Sequence, residues 1–146
     1  MDYIKLRELL EKHEGYRNMP YVDSVGKTTI GIGHNLTDLG LSDEVIERQY
    51  SIDVGNAIND CSKLITDFFE HPELVQVVVC NMMFNLGYNR LKKFHKFLAA
   101  LERHDYRLAS IEMLDSKWAD QVGNRAIELS DIMVSYDKYS KTTGEI

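Results

Sequence analysis

The chain has 146 residues, 44% hydrophobic and 27% charged, which describes one ordinary globular domain and excludes a disordered or fibrous polypeptide. Seventeen Lys+Arg against 23 Asp+Glu leave a formal charge of −6, which argues against non-specific nucleic-acid binding and against electrostatic capture on an anionic membrane. Cys61 and Cys80 are too few for a disulfide framework and read as reduced, buried thiols, and apolar runs such as residues 77–80 fall far short of a membrane span.

Ile4, Leu6, Leu9 and Leu10, interleaved with Glu and Lys, predict an amphipathic helix over residues 2–13, stopped by Gly15. The opening residues hold no continuous apolar stretch, so no signal peptide is expected. Residues 21–22, a turn at 23–26 and residues 27–33 read as strand, turn, strand, the one β signal in the chain. A loop with Asn35, Thr37, Asp38 and Gly40 follows, and Ser42, backed by Asp43 and Glu44, caps the next helix. From there the texture is helical. Val45, Ile46, Tyr50, Val54, Ala57 and Ile58 make one stripe, and Pro72 opens a helix running to Leu86 and ended by Gly87. Leu91, Phe94, Leu98 and Leu101 mark another helix and residues 108–114 a third. Asn124 caps a last one through Ile127, Ile132, Met133 and Tyr136. The expected architecture is α+β, mostly α, in a single domain over residues 1–146. A small β-hairpin lobe covers about residues 14–41 and a larger helical lobe about 42–146, with the first helix docked back onto it and a cleft between the lobes.

In a regular strand over residues 27–33, Thr28, Ile30 and Ile32 face one way and Thr29, Gly31 and Gly33 the other. Two glycines on one face mean either that something approaches the backbone closely or that the strand bends. Glu14 closes the first helix at the unfavourable end of its dipole, and Asp23 opens the hairpin turn. Singly, these are a solvated helix end and a turn former. Together with the Thr29 hydroxyl, facing one cleft, they are what glycosidic cleavage requires. One carboxyl protonates the leaving oxygen while the other steadies the cationic sugar or activates water.

The run His13-Glu14-Gly15, then Tyr21, Asp23 and Gly26, then Thr29-Ile30-Gly31-Ile32-Gly33-His34 resembles the active-site signature of the phage-type lysozymes, the endolysins related to that of the T-even coliphages. Two further blocks agree: Asn81-Met82-Met83-Phe84-Asn85-Leu86-Gly87, and Ser116-Lys117-Trp118 followed by Asn124-Arg125-Ala126. The resemblance implies a lysozyme-like fold and an N-acetylmuramidase that cleaves the β-1,4 bond between N-acetylmuramic acid and N-acetylglucosamine, lysing the host, with no cofactor and no metal. It implies Glu14 as general acid, Asp23 as the group that places the water and stabilises the oxocarbenium-like state, and Thr29 as a second water contact, in an inverting reaction. Arg125 matches an arginine that pairs with the catalytic glutamate, and His34 with Asp53 matches an ion pair. Phe84 and Asn85 match positions along the sugar-binding groove, as does Asn35, which stands where the family usually carries an aliphatic residue. The connector over residues 35–41 is shorter than in better-known relatives. Phe97 replaces a small polar residue and reads as core, and Trp118 reads as packing rather than as a sugar platform. The implied partners are peptidoglycan glycan strands and a holin that releases a monomeric enzyme from the host cytoplasm to the wall, without nucleic acid or membrane insertion. A lytic transglycosylase, or a non-catalytic wall-binding module, is the alternative.

Overall fold

Asp2 opens the first helix, α1 (Tyr3–Glu14), by accepting a hydrogen bond from the Lys5 amide at 2.9 Å, and Glu14 is its last residue. The computed structural model describes the backbone of residues 1–143 and the side chains of residues 1–135, so the expected place of Tyr136 in the last apolar stripe lies outside the described side chains. The chain divides into two units, Met1–Gln49 and Tyr50–Ile146.

In the first unit, β1 (Arg17–Val22), β2 (Thr28–Gly31) and β3 (His34–Asn35) form an antiparallel sheet in that order. The expected hairpin is therefore one strand short. Residues 27–33 are not a single strand: β2 stops at Gly31, and the chain turns through Ile32-Gly33. It then runs back with Ile30 opposite His34 and Thr29 opposite Asn35. Gly31 and Gly33 adopt φ of +67° and +66°, the left-handed region that permits this reversal. β1 is also longer than the sequence suggests: it pairs again at Arg17, opposite Gly31, beyond an irregularity in register between Arg17 and Tyr21. Pro20, which has no amide proton to give a ladder, sits inside that irregularity.

The segment expected as a loop contains a single helical turn, α2 (Leu36–Leu39). Four residues are too few to show a helical period, and side chains hold the turn instead. Asn35 Oδ1 accepts from the Asp38 amide at 3.1 Å, Thr37 Oγ1 accepts from the Thr28 amide at 2.8 Å, and Lys27 Nζ pairs with Asp38 at 3.0 Å. The next helix, α3 (Asp43–Leu64), starts where expected, with Ser42 Oγ accepting from the Val45 amide.

The second unit is helical. A 3₁₀ turn (Phe68–Glu70) leads to α4 (Glu73–Leu86), α5 (Tyr88–Leu91), α6 (His95–Glu102), α7 (Tyr106–Leu114), α8 (Lys117–Val122) and α9 (Asn124–Thr143). Leu91 and Phe94 do not share a helix with Leu98 and Leu101: the chain breaks between α5 and α6, and Phe94 caps the latter. The sequence reading also passed over α8, whose Ser116 cap accepts from the Ala119 amide at 3.1 Å. The core is built on α4, which buries Val75, Val78, Val79, Met82, Met83 and Leu86 at helical spacing and packs against α9, while α7 lies between α6 and α9. Phe97 and Trp118 are both buried in this core, as the sequence suggests. Cys61 is buried and Cys80 half-buried; both are free thiols.

One polar cluster lies beside the core. Asp67, His71, His104 and Tyr106 are linked by hydrogen bonds across the segment between α3 and α4 and the turn between α6 and α7. Burial works to raise the Asp67 carboxyl, but the hydrogen bond from His104 and the charge of His71 outweigh it and hold it below its usual value. Burial pushes His71 below its ordinary value, against the attraction of Asp67.

Candidate active site

Glu14, Asp23 and Thr29 all belong to the Met1–Gln49 unit. Glu14 reaches the sheet because α1 ends at it and the chain turns through Gly15 directly into β1. Its side chain lies against the backbone of Gly33. A Cβ built on Gly33 would stand 2.7 Å from Glu14 Oε2 and 2.9 Å from its Cβ and Cδ. Of the two readings of the glycine pair, both hold, at different residues. Gly31 and Gly33 bracket a reversal of the chain, while only Gly33 is closely approached, and what approaches it is the candidate acid.

Asp23 follows β1 and holds the β1–β2 turn through one oxygen. Oδ1 accepts from the Val25 amide at 3.0 Å and the Lys27 amide at 2.8 Å, and the Asp23 amide donates to the Lys27 carbonyl at 2.9 Å. Its Oδ2 accepts no hydrogen bond among the described residues. Thr29 stands on the central strand, opposite Tyr21 on one side and Asn35 on the other, and is the buried residue of this unit at 4% exposure. Its hydroxyl donates to the Lys27 carbonyl at 3.1 Å, so its oxygen is left to act as an acceptor. Tyr21 joins these parts, since its hydroxyl donates to the Glu14 carbonyl at 3.4 Å and Arg17 lies over its ring at 4.4 Å.

Other candidate residues carry structural duties. Asn35 donates from Nδ2 to Asp38 Oδ2 at 2.9 Å while its Oδ1 caps α2, so both ends of the amide are engaged. His34 Nε2 is hydrogen-bonded to the Gly40 carbonyl, closing the β3–α2 segment. Asp53, half-buried on α3, belongs to the other unit. There Asn85 accepts from the Trp118 indole at 2.8 Å. Arg125, on α9, donates to Asn81 Oδ1 through Nε at 3.0 Å and through a terminal nitrogen at 2.7 Å. Phe84 and Arg125, with Asn81, Tyr50 and Phe69, line an open cavity of about 680 Å³ wholly within the Tyr50–Ile146 unit.

Residues 11–131 match the family described as phage lysozyme. The chain belongs to the phage lysozyme family. Probable T4-type lysozyme 2 of Dictyostelium discoideum is 26% identical over 83% of this chain and 88% of its own length. Probable T4-type lysozyme 1 of the same organism is 23% identical over the same shares. The pre-baseplate central spike protein Gp5 of Enterobacteria phage T4 is 26% identical over 90% of this chain, which corresponds to 28% of that protein. This lysozyme is thus a glycosidase-type, cell-wall-directed enzyme, and among its described residues no helix is long and apolar enough to cross a membrane.

Sequence reasoning missed two supporting residues of this lysozyme. Asn81, which fixes Arg125, stood in a block quoted for its resemblance, but nothing in its spacing tied it to a residue 44 positions later. Tyr21 stood in the signature without a role, and only the fold shows that its hydroxyl reaches the end of α1.

Proposed function

We propose that this lysozyme is an endolysin, an N-acetylmuramidase that hydrolyses the β-1,4 bond between N-acetylmuramic acid and N-acetylglucosamine in peptidoglycan. The observation that carries the reading is the lodging of Glu14 against Gly33, in the same sheet unit that presents Asp23 and Thr29. Glu14 gives its proton to the leaving glycosidic oxygen as the bond from the anomeric carbon breaks. A water donates toward Asp23 Oδ2 and the acceptor oxygen of Thr29, which directs its remaining lone pair at the anomeric carbon. The new carbon–oxygen bond forms on the opposite sugar face, and the water proton passes to Asp23. The product is an inverted, reducing muramic end.

On the family resemblance, Phe84, Asn35 and Asn85 are assigned to sugar binding, and Phe84 offers an exposed apolar face for it. On the same resemblance, Arg125, His34 and Asp53 are assigned structural support in this reading. Monomeric enzyme is held in the host cytoplasm until a holin opens the membrane. Glu14→Gln, a nearly isosteric change, is expected to keep the melting temperature within a few degrees and to slow wall lysis by about 10²–10⁴-fold. Mass spectrometry of the released muropeptides tests the bond and the mechanism: reducing N-acetylmuramic ends are expected, and 1,6-anhydro ends would move the enzyme to the transglycosylases. Expression without lysis until a pore former is added tests the endolysin role, and spontaneous lysis would refute it.

A further inference from the structure

The strongest unassigned feature is the ring of four side chains beside the helical core. Tyr106 Oη contacts His71 Nδ1 at 2.8 Å and His104 Nδ1 at 3.1 Å. The opposite edge of each imidazole then faces the same carboxylate, with His71 Nε2 at 3.2 Å from Asp67 Oδ1 and His104 Nε2 at 2.9 Å from Asp67 Oδ2. Two neutral imidazoles and one phenol bring one proton each to these four contacts, and an ionised carboxylate brings none. One contact is therefore short of a proton.

When Tyr106 accepts from both Nδ1–H groups its own proton points out of the ring, and both Nε2 lone pairs face the Asp67 carboxylate, an arrangement that a cation between them would satisfy. The ligand atoms there all lie within 4.8 Å of one another. Metal–ligand bonds of about 2.0–2.1 Å set neighbouring ligands roughly 2.9 Å apart at a right angle and 3.3 Å at the tetrahedral angle. The two observed nitrogen–oxygen separations, one to each oxygen of the Asp67 carboxylate, fall in that interval.

We propose that Asp67, His71 and His104 bind one divalent transition-metal ion of the zinc type, with Tyr106 orienting both imidazoles from outside. Two imidazoles with one carboxylate suit zinc, cobalt or nickel and disfavour magnesium and calcium, which take oxygen ligands. An acceptor on the far nitrogen of each ligating histidine is the usual support of such a site. His71 is fixed, its side chain 1% exposed, whereas Asp67 and His104, at 29% and 45%, leave the site reachable from solvent. The rings stack at 4.4 Å with a 25° tilt, so the swing that brings the second nitrogen onto the ion belongs to His104, on its exposed turn. The ion would tie the segment between α3 and α4 to the turn between α6 and α7.

The test uses the full chain, stripped with a chelator and titrated with Zn²⁺ by calorimetry, with melting temperature measured in parallel. One equivalent of Zn²⁺ is expected to bind and the melting temperature to climb with free Zn²⁺, while Mg²⁺ at the same concentration does neither. His104→Asn removes one ligand at an exposed position whose φ of +56° asparagine tolerates, and should lose the zinc-dependent shift while still folding. His95→Asn, a surface control, should keep it. A wild type that takes up no Zn²⁺ would show that a proton alone fills the ring and would overturn the site. So would a zinc shift that survives in His104→Asn.

Discussion

Gly33→Ala and Gly31→Ala separate backbone strain from displacement of Glu14. Both glycines hold nearly the same left-handed φ, +67° at Gly31 and +66° at Gly33, so alanine pays about 1–2 kcal/mol at either position. What differs is the space. Nothing lies within 4 Å of a Cβ at Gly31, whereas at Gly33 it meets Glu14 Cβ and Cδ at 2.9 Å. Carbon atoms rest about 3.5–4.0 Å apart, so Glu14 must recede by roughly 0.6 Å or more. Rotating the Glu14 side chain does not clear the contact, because its own Cβ is one of the clashing atoms and that atom is fixed to the end of α1. A catalytic group misplaced by about 1 Å loses about 10²-fold in rate. Both variants should therefore melt roughly 2–8 °C below wild type. In a turbidity assay on a peptidoglycan suspension, run well below both melting temperatures, Gly31→Ala should stay within a few-fold of wild type and Gly33→Ala should be about 100-fold slower. Equal activities in the two variants would refute the placement of Glu14 as the group that Gly33 accommodates.

Asp23 holds a turn with one oxygen and keeps the other open, so its substitutions should divide. Asp23→Asn retains an acceptor for the Val25 and Lys27 amides and should melt like wild type while clearing walls slowly; Asp23→Ala should lose about 1 kcal/mol of stability as well. An asparagine variant as active as wild type would remove Asp23 from the chemistry. Asn85→Ala leaves the buried Trp118 indole without its acceptor and should cost about 1–3 kcal/mol, read as a lower urea midpoint at unchanged slope. An unshifted midpoint would show that the bond contributes nothing. Burial, with the Cys80 thiol beside it, pushes Cys61 up to about 12, so at pH 8 only about one molecule in 10⁴ carries the thiolate. A thiol reagent should label Cys61 only after denaturant is added, and prompt labelling of the native protein would contradict its burial.

Legibility varied with the length of the physical signal. In α4 the apolar residues recur over several turns, so the helix was legible from Pro72 to Leu86; Val75, Val78, Val79, Met82, Met83 and Leu86 are buried while Leu74, Val77 and Phe84 stay exposed. The reversal at Ile32-Gly33 was hidden by its own composition: apolar residues and glycines keep alternating through the turn, so a period of two persists where the backbone has already changed direction. The division between α5 and α6 has neither glycine nor proline to mark it, and Lys92-Lys93 read equally well as a solvated helical face. α2 depends on contacts from Asn35, Thr37 and Lys27 that no local pattern announces.

The same contacts sort the candidate site more finely than residue identity does. A side chain whose hydrogen-bonding capacity is consumed by its own fold has little left for a substrate. Both ends of the Asn35 amide are used within β3 and α2, whereas Asn85 gives only its oxygen to Trp118 and His34 one nitrogen to the Gly40 carbonyl. Asp23 and Thr29 are engaged too, but incompletely. Asp23 spends one oxygen on the turn and keeps the second, and Thr29 spends its proton and keeps its lone pairs. These unspent valences are acceptors, which is the polarity needed to draw protons from a water while its oxygen attacks. Glu14 adds the complementary function, a carboxyl held against bare backbone where no side chain of residue 33 can crowd it. The turn that orients Asp23 and the strand bond that orients Thr29 fix both groups before any substrate arrives, so the cost of ordering them falls on folding rather than on the reaction.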